Sequence, residues 1–452
     1  MIRKDLPMPG PKFRDGPQPQ HAAMREPATV GETGLSWELL FDLAARHLYA
    51  HGAMSLARLA QRLGLKLGVV QALADRMYQQ GLLQRDDAPE PAARYDLSDS
   101  GDGLAKAAYA RGSYCGAAPV PLDQYREMLQ QSSVRGRPVR SQDMRAAFDG
   151  VIVADSLLDA FGRGLNSDRA MLIYGPTGSG KTYLAQRLVR ALHGPALIPH
   201  AIAIANAIVP IHNPVLHEPW PAAAGDAAVH DGRYAHCRRP GIICGAQLTP
   251  EMLELRYDPL ARRYHAPLQL LANGGVLVID DLGRQRTPVA ELLNRWIVPL
   301  ETQQDWLALD GGASFSVPFD LVLILASHLE PDALDAEACR RRVGHKVRLQ
   351  PIEAGAYAAI WRQSCERRGL PCNMALVHHA IEELHGPSGV PLLPCHPDEL
   401  LSLMLDQSRY AGTAGSFDLD MLDTAWTTCF PDRAPLPAGT AVAHALPAQC
   451  AR

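Results

Sequence analysis

Eight consecutive residues carry the clearest chemical pattern in this 452-residue sequence, GPTGSGKT at positions 175–182. They follow an apolar strand-like run, Met171–Tyr174, and precede a helical pattern. Glycines at this spacing let backbone N–H groups curl around phosphate, and a helix that begins here adds the positive end of its dipole. The stretch therefore predicts a phosphate loop rather than a chance glycine-rich turn. Its members are Gly175, Pro176, Thr177, Gly178, Ser179, Gly180, Lys181 and Thr182.

Two side chains of this loop have specific predicted roles. Lys181 is expected to reach the β- and γ-phosphates of a nucleotide, because its ammonium is the charge that such loops direct at those oxygens. The Thr182 hydroxyl is expected to be a ligand of Mg²⁺, a hard cation that prefers oxygen donors. ATP and Mg²⁺ are the cofactors that this pattern predicts.

A second motif, GGVLVIDDLGR, runs from Gly274 to Arg284. Val276–Ile279 reads as a buried strand that ends in two adjacent carboxylates. Asp280 is predicted to bind Mg²⁺ through its water shell, and Asp281 to lie beside the attacking water. The alternative is a buried strand that merely ends in a polar turn. We expect this strand to lie beside the strand that precedes the phosphate loop.

Two further positions are candidates for catalysis. A third apolar strand, in FDLVLILASHLEP, ends in Ser327 and His328, and His328 could position the water or sense the γ-phosphate. Farther along, Arg340, Arg341 and Arg342 lie near the end of a predicted helix. They either complement the helix dipole or supply an arginine finger, Arg341 or Arg342, to the nucleotide of a neighbouring subunit. The spacing leaves both interpretations open.

The elements that must position these residues form three regions. The motifs lie where apolar β-type runs alternate with helical patterns, which predicts a parallel sheet with flanking helices. The sequence after the sheet is helical throughout and predicts a lid. The sequence before it reads helix, turn, helix, two short strands and helix, which predicts a winged helix-turn-helix domain. The expected boundaries are 1–30 (disordered), 31–115 (winged-helix-like), 116–145 (linker), 146–352 (α/β core), 353–430 (helical lid) and 431–452 (flexible tail).

Composition limits the location and the partners. The formal net charge is −4, so the whole chain has no electrostatic footprint for nucleic acid.

The N-terminus is polar and proline-rich, which is not typical of a signal peptide. The most apolar stretch, Pro195–Ile211, contains internal prolines and is expected to form short buried strands rather than a membrane span. No sequence pattern indicates a role for the segment 195–248.

The cysteines favour a reducing compartment. There are nine, an odd number, and they are scattered along the chain. Free thiols in the cytoplasm are the expected state. Cys237 and Cys244, with His236, could hold a metal, but the gap between the two cysteines matches no common zinc spacing.

With these motifs in place, the sequence resembles the AAA+ ATPases. GPTGSGKT, VLVIDD, a polar residue after LVLILA, the arginine cluster and a helical lid occur in the expected order. Between residues 33 and 430 it is similar to a narrower bacterial group described as predicted ATPases with chaperone activity, on APVPLDQY, PLQLLANGGVLVIDDLGRQR, ELLNRWIVPLE, VPFDL and CHPDELL. Some members have been linked to Flp-type pilus assembly.

The resemblance implies a fold and an activity. The fold is an α/β P-loop NTPase with an AAA+ core, an N-terminal winged helix-turn-helix domain and a C-terminal α-helical lid. The activity is that of a ring-forming ATPase that remodels or helps to assemble a protein partner. AAA+ proteins commonly have Glu at Asp281, although Asp-Asp is common in the narrower group, and they commonly have Asn at His328 and, in the lid, Arg at Asp398. An acid at Asp398 is expected to repel phosphate, and together the three changes predict slow hydrolysis.

The predicted winged helix carries charges that argue against DNA. Residues 31–110 contain eight Lys/Arg and ten Asp/Glu, a net charge of −2. In the candidate recognition helix, 67–80, Arg76 is offset by Asp75, so phosphate and base contacts are lacking. Asp96, Asp99 and Asp102 of the predicted wing would face a phosphate backbone. We therefore favour docking of an unidentified client protein; the alternatives are an ATP-regulated transcription factor and a nucleotide-binding scaffold that barely hydrolyses ATP.

Overall fold

The structure is a computed structural model that describes residues 25–89, 92–136, 138–221, 231–334, 343–412 and 417–433. Arg340, Arg341 and Arg342 lie outside these residues, as do most of the segments predicted as the disordered N-terminus and the flexible tail. Val30, within the range predicted as disordered, is buried in the N-terminal core, so the packed chain begins before residue 31.

The described residues form short strands and helices. The strands are β1 (Leu83–Arg85), β2 (Tyr95–Leu97), β3 (Val120–Pro121), β4 (Ala170–Tyr174), β5 (Ala196–Pro199), β6 (Ala201–Ile204), β7 (Ala207–Pro210), β8 (Tyr234–Cys237), β9 (Gly241–Cys244), β10 (Arg256–Asp258), β11 (Arg263–His265), β12 (Val276–Ile279), β13 (Gln304–Ala308), β14 (Ser314–Pro318), β15 (Val322–Ser327) and β16 (Val343–Arg348). The helices are α1 (Trp37–His51), α2 (Leu56–Leu63), α3 (Leu67–Gln79), α4 (Asp99–Arg111), α5 (Leu122–Gln131), α6 (Ser141–Ala147), α7 (Asp155–Leu165), α8 (Lys181–Leu188), α9 (Leu268–Leu271), α10 (Val289–Arg295), α11 (Ile297–Thr302), α12 (Ala354–Arg368), α13 (Met374–His379), α14 (Gly386–Ser388), α15 (His396–Ala411) and α16 (Leu419–Cys429). Short 3₁₀ turns span Gly31–Thr33, Val189–Ala191, Pro250–Leu253, Pro331–Ala333 and Pro431–Arg433, and a π-helical turn spans Ala380–His385.

Five parallel strands form the central sheet, in the order β16-β4-β15-β12-β9. Alternate residues point to opposite faces: Met171 and Ile173 join one apolar core, while Ala170 and Leu172 join the core on the other face. Burial on both faces is typical of a parallel sheet covered by helices. The sheet with its flanking helices is the parallel α/β fold that was predicted.

The two motif strands are not neighbours, and that expectation was wrong. β15 lies between them, with Ser327 opposite Tyr174 on one side and Leu325 opposite Ile279 on the other. The number of residues between two strands limits the length of a crossover but does not decide which strands pair. β15 is buried at all six residues, so the centre of the sheet is the position that its composition favours.

The N-terminal region contains the predicted order of elements, α1, α2, α3, the antiparallel pair β1–β2, and α4. Its identity as a winged helix remains a prediction. Asp99 and Asp102, predicted on the wing, lie instead in the first turn of α4. The Ser98 hydroxyl accepts from the Gly101 N–H and begins that helix, where carboxylates stabilise the positive end of the dipole.

Residues 196–210 and 234–237 build small sheets beside the central one. The apolar stretch Pro195–Ile211 forms β5, β6 and β7, the short buried strands that were predicted. β6 pairs with β7 and also, in parallel, with β3 of the predicted linker. The linker is therefore part of a packed core that includes Tyr125 and Met128 of α5. None of the described helices has the length and apolar character that crossing a membrane requires.

The C-terminal region is helical, as predicted. Its helices surround one apolar core that contains Tyr357, Trp361 and Trp426. The Ile352 N–H donates to the Leu392 carbonyl at the junction with the sheet region. This junction brings the N-terminal end of α15 to the phosphate loop.

Candidate nucleotide-binding site

The phosphate loop connects β4 to α8, the strand–loop–helix context that its chemistry requires. Gly175 and Gly178 have φ angles of +148° and +87°, which side-chain-bearing residues rarely adopt. A Cβ on Gly175 would lie 2.4 Å from the Leu349 carbonyl oxygen. Only glycine therefore allows this path, which leaves the backbone N–H groups at the start of α8 available to an anion.

Lys181 lies inside the loop. Its Nζ donates to the carbonyl oxygens of Gly175 at 2.9 Å and Pro176 at 2.8 Å, and the residue is 7% exposed. Burial lowers the pKa of its ammonium, while Asp281 and Asp280 act in the opposite direction. Phosphate oxygens would offer this ammonium stronger, charge-assisted partners than two neutral carbonyls.

The two predicted magnesium ligands lie together. The Thr182 hydroxyl donates to Oδ2 of Asp280 at 2.7 Å, although the two residues come from different motifs. The other carboxylate oxygen, Oδ1, accepts from the Asp281 N–H at 3.0 Å. A hydroxyl and a carboxylate that already share a hydrogen bond are oxygen donors of the kind that Mg²⁺ prefers. The residues present therefore fit a magnesium ion held between the two motifs.

Asp281 has an unusual backbone and an arginine neighbour. Its φ of +49° lies in the left-handed region. Its carboxylate, which is partly exposed, lies 3.7 Å from Nη1 of Arg284. Arg284 also lies close enough to Lys181 to contribute to the lowering of its pKa. Sequence reasoning missed Arg284, although a cation three residues after the predicted catalytic carboxylate was a usable signal.

The turn after β12 is held from two sides. The Gln285 amide donates to the Asp280 carbonyl at 3.0 Å, and its oxygen accepts from the Gly283 N–H at 3.0 Å. Ser327, fully buried, donates to the Leu282 carbonyl at 2.7 Å. Ser327 therefore fixes the turn and does not face a phosphate. Gln285 is a second site residue that the sequence analysis missed.

His328 directly follows β15, the strand that lies between β4 and β12. Because the three strands are parallel, His328 lies at the same edge of the sheet as the two motifs. Nδ1 of its ring is buried, and among the described residues it has no hydrogen-bond partner. The fold thus brings His328, Lys181 and Asp280 to one edge of the sheet. The arginines predicted as a finger lie outside the described residues, so their role stays a prediction.

The lid contributes a contact that sequence reasoning did not anticipate. Asp398 was expected to repel phosphate, but its carboxylate pairs with Arg368 at 2.8 Å and Arg367 at 3.6 Å, which offsets its charge. The side chain that reaches the phosphate loop is Cys395. A Cβ on Gly178 would lie 2.4 Å from Sγ of Cys395. Gly178 and Cys395 lie far apart in the sequence, so no local sequence pattern predicts that they contact each other.

The metal-binding possibilities differ from those considered from sequence. Among the described residues, two groups of three side chains lie close enough to hold an ion: His47 with His51 and Cys115, and Cys395 with His396 and Glu399. Cys237 and Cys244 belong to neither group. Burial raises the pKa of both of these thiols to about 11, which keeps them protonated and inert.

Comparison with known proteins adds little beyond the geometry. Residues 353–428 match a family described as Domain of unknown function (DUF8689). No curated protein matches the chain. Among solved structures, the RuvB Holliday junction branch migration motor of Thermotoga maritima is 15% identical, with a TM-score of 0.38, over 64% of this chain and 73% of that one. NtrX from Brucella abortus in complex with ADP is 16% identical, with a TM-score of 0.40, over 75% and 69% of the two chains. Similarity at this level says nothing about the substrate or partner of this chain.

Proposed function

We propose that this protein binds ATP with Mg²⁺ and hydrolyses it slowly, and that the cycle remodels or helps to assemble a protein partner. The 2.7 Å hydrogen bond between Thr182 and Asp280 carries the proposal. It joins the phosphate loop to the carboxylates after β12 and creates the oxygen pair that Mg²⁺ needs to bridge a nucleotide. When bound, the ion would neutralise charge on the β- and γ-phosphates.

Slow hydrolysis follows from the surroundings of Asp281. Its side chain is one methylene shorter than that of glutamate, which moves the carboxylate about 1.5 Å from the position a glutamate would reach. Arg284 lies 3.7 Å from that carboxylate and forms a partly exposed ion pair with it, which competes with the attacking water for the carboxylate. Misplacement of about 1 Å can cost on the order of a hundredfold in rate. Asp281 therefore acts as the base of a switch that holds ATP longer than it hydrolyses it.

Steady-state turnover of the wild type, Asp281→Asn and Asp281→Glu tests this proposal. We expect a wild-type rate well below about 1 s⁻¹, the low end for typical enzymes, almost no turnover in Asp281→Asn, and faster turnover in Asp281→Glu. Binding of ATP should be similar in all three proteins. A wild-type rate at or above that value, or an Asp281→Glu variant slower than the wild type, would show a site built around aspartate.

A protein client, rather than DNA, fits the N-terminal region. The Arg76 guanidinium, the one cation of α3, stacks 4.3 Å from the ring centroid of Trp37 and is thus already engaged. The turn that precedes α3 is covered, because Gly64 packs on the backbone of Gly232. Leu67 and Tyr78 of α3 are exposed apolar side chains, which suit a protein surface better than a phosphate backbone. Assembly of a pilus or secretion apparatus is the kind of process we propose.

We further propose that ATP drives self-association into a ring in which Arg341 or Arg342 reaches a neighbour's nucleotide. The seven cysteines among the described residues are free, which agrees with a cytoplasmic location. Light scattering with a non-hydrolysable ATP analogue should show a larger species, and Arg341→Ala or Arg342→Ala should turn over more slowly while still binding ATP. A monomer in the presence of the analogue, with normal turnover in both variants, would mean that these arginines only cap a helix.

A further inference from the structure

A cluster of metal-ligand side chains lies at the N-terminal end of α15. Cys395, His396 and Glu399 each offer one ligand atom, and these atoms all lie within 4.8 Å of one another. In a tetrahedral site, zinc bonds of about 2.0–2.3 Å place the ligand atoms about 3.3–3.8 Å apart. A closing movement of about 1 Å would therefore bring the three atoms around one ion, and the exposed Glu399 side chain can make it.

His396 provides an independent reason to look for a ligand here. The residue is only 6% exposed, and among the described residues its ring nitrogen Nδ1 has no hydrogen-bond partner. It stacks on His385 at 5.2 Å and meets the edge of Phe430 at 5.2 Å, which supply packing without an acceptor or donor for Nδ1. A buried ring nitrogen without a partner is costly unless something else binds it.

Cys395 and Glu399 contribute a sulfur donor and an oxygen donor to the cluster. The Cys395 thiol and the Glu399 carboxylate lie one helical turn apart, and their ligand atoms lie within 4.8 Å of each other. A metal ion that binds both would displace the thiol proton, as occurs when metal ions bind thiols. The cluster thus combines one neutral nitrogen, one thiol and one exposed carboxylate within a single turn of helix.

The other cluster of this kind lacks these features. Its ring nitrogens already have partners: His47 Nε2 bonds to the Gly116 carbonyl at 2.9 Å and Nδ1 lies 3.5 Å from Sγ of Cys115. The guanidinium of Arg62 lies 2.9 Å from Nε2 of His51, so a positive charge already occupies that position. Local hydrogen bonds account for all three residues, and the cluster needs no ion.

We propose that Cys395, His396 and Glu399 form a binding site for a zinc-like divalent cation beside the phosphate loop. Thiolate and imidazole favour such an ion over Mg²⁺. Three protein ligands leave one coordination position open, the arrangement of an exchangeable or reactive site rather than a closed structural one. The site is separate from the Thr182 and Asp280 oxygens proposed for Mg²⁺, and it stands whether or not ATP is hydrolysed.

Titration of the full-length, reduced protein with Co²⁺ alone, followed by displacement with Zn²⁺, tests the site. Co²⁺ bound to a thiolate gives a charge-transfer absorption band, and we expect such a band to saturate at one ion per chain with release of protons. Zn²⁺ should abolish it. Absence of the band in the wild type would overturn the proposal, whatever any variant does.

Three variants assign the band to these residues. Cys395→Ser should lose the band. His396→Asn should bind Co²⁺ more than about a hundredfold more weakly, because loss of a ligand costs more affinity than loss of a residue that only hydrogen-bonds to a ligand, which costs up to about a hundredfold. Cys372→Ser, a partly exposed thiol of the same region outside the cluster, is the matched control and should keep the band. A band retained in Cys395→Ser, or lost in Cys372→Ser, would place the ion elsewhere and overturn the proposal.

Discussion

The N-terminal region and the lid each contact the central part of the molecule at a glycine, Gly64 and Gly178 respectively. These two contacts differ in kind. Gly64 of the N-terminal region packs on Gly232, where an added Cβ would lie 2.3 Å from the Gly232 carbonyl oxygen. Gly178 of the phosphate loop packs on Cys395 of the lid, where an added Cβ would lie 2.4 Å from Sγ. The first contact joins backbone to backbone, and the second joins backbone to a side chain.

This difference indicates which contact can move. Hydrogen bonds to backbone carbonyls reinforce the first one: the Ala118 N–H donates to the Leu63 carbonyl at 2.8 Å, and Nη1 of the Arg233 side chain donates to the Thr33 carbonyl at 3.1 Å. The second places the Cys395 side chain, with Leu393 beside it, against the loop, and the Cys395 thiol can change rotamer when a nucleotide enters the loop. We infer that the contact between the lid and the phosphate loop is the more adjustable of the two.

Gly64→Ala should give the largest effect. The new methyl group meets backbone that cannot yield, and Gly64 has a φ of +62°. Strain of about 1–2 kcal/mol and overpacking of about 1–3 kcal/mol add to a loss of about 2–5 kcal/mol of unfolding free energy. Urea denaturation measures it.

Gly369→Ala is the matched control for this substitution. Gly369 also ends a helix with a left-handed backbone, φ +67°, but its Cβ would meet none of the described atoms within 4 Å. It should lose only the strain contribution, about 1–2 kcal/mol. Equal losses in the two variants would mean that the contact with Gly232 contributes nothing.

Acid should loosen the lid. Burial lowers the pKa of His396 to about 4, from an ordinary value of 6.5, so the folded lid holds the neutral ring. Between those values the unfolded chain binds more protons, and stability falls as the pH drops from about 6.5 to 4, by at most about 3 kcal/mol. With a chelator present, urea unfolding at several pH values should show a smaller acid loss in His396→Gln than in the wild type.

The exposed His378→Gln serves as the control for acid sensitivity. This variant should follow the wild-type pH dependence, because His378 lies outside the lid core. If His396→Gln loses as much stability on acidification as the wild type, the buried ring is not the group that titrates.

The smallest effect expected is a coupling energy at the lid contact. Gly178→Ala should displace Cys395, and Cys395→Ala should relieve the clash, because the Cys395 Cβ would remain at 3.6 Å from the new methyl group. A double-mutant cycle in urea should give a favourable coupling of about 1–3 kcal/mol. No such relief is available at Gly64, since its partner has no side chain to remove. Additive effects of the two lid substitutions would contradict the contact.

The features predicted from sequence are those encoded over a few residues. The phosphate loop was predictable because the backbone path and the helix start fix the residue types from Gly175 to Thr182. The carboxylates after β12 were predictable because a buried strand and its polar end are contiguous. The elements of the N-terminal region followed from helix caps and apolar periodicity, as at Ser36, whose hydroxyl accepts from the Leu39 N–H.

The features that were missed depend on contacts between distant residues. The position of β15 between the motif strands is set by pairing across the sheet, which periodicity does not encode. The contact of Cys395 with Gly178 and the pairing of Asp398 with Arg368 arise only when the lid docks. The sequence shows the acidic residue Asp398 at this position, but it does not show that Arg368, on another helix, forms an ion pair with it.

Isothermal titration with MgATP, on the wild type, Lys181→Ala and Lys106→Ala, tests the central claim most directly. Lys106 is an exposed lysine of α4, far in sequence from the loop, and controls for the loss of one positive charge. The wild type and Lys106→Ala should bind one ATP with equal affinity. Lys181→Ala should bind at least about a hundredfold more weakly, since two charge-assisted contacts of about 1.5–3 kcal/mol each are lost. Equal affinity in all three proteins would contradict the assignment of residues 175–182 as the phosphate loop.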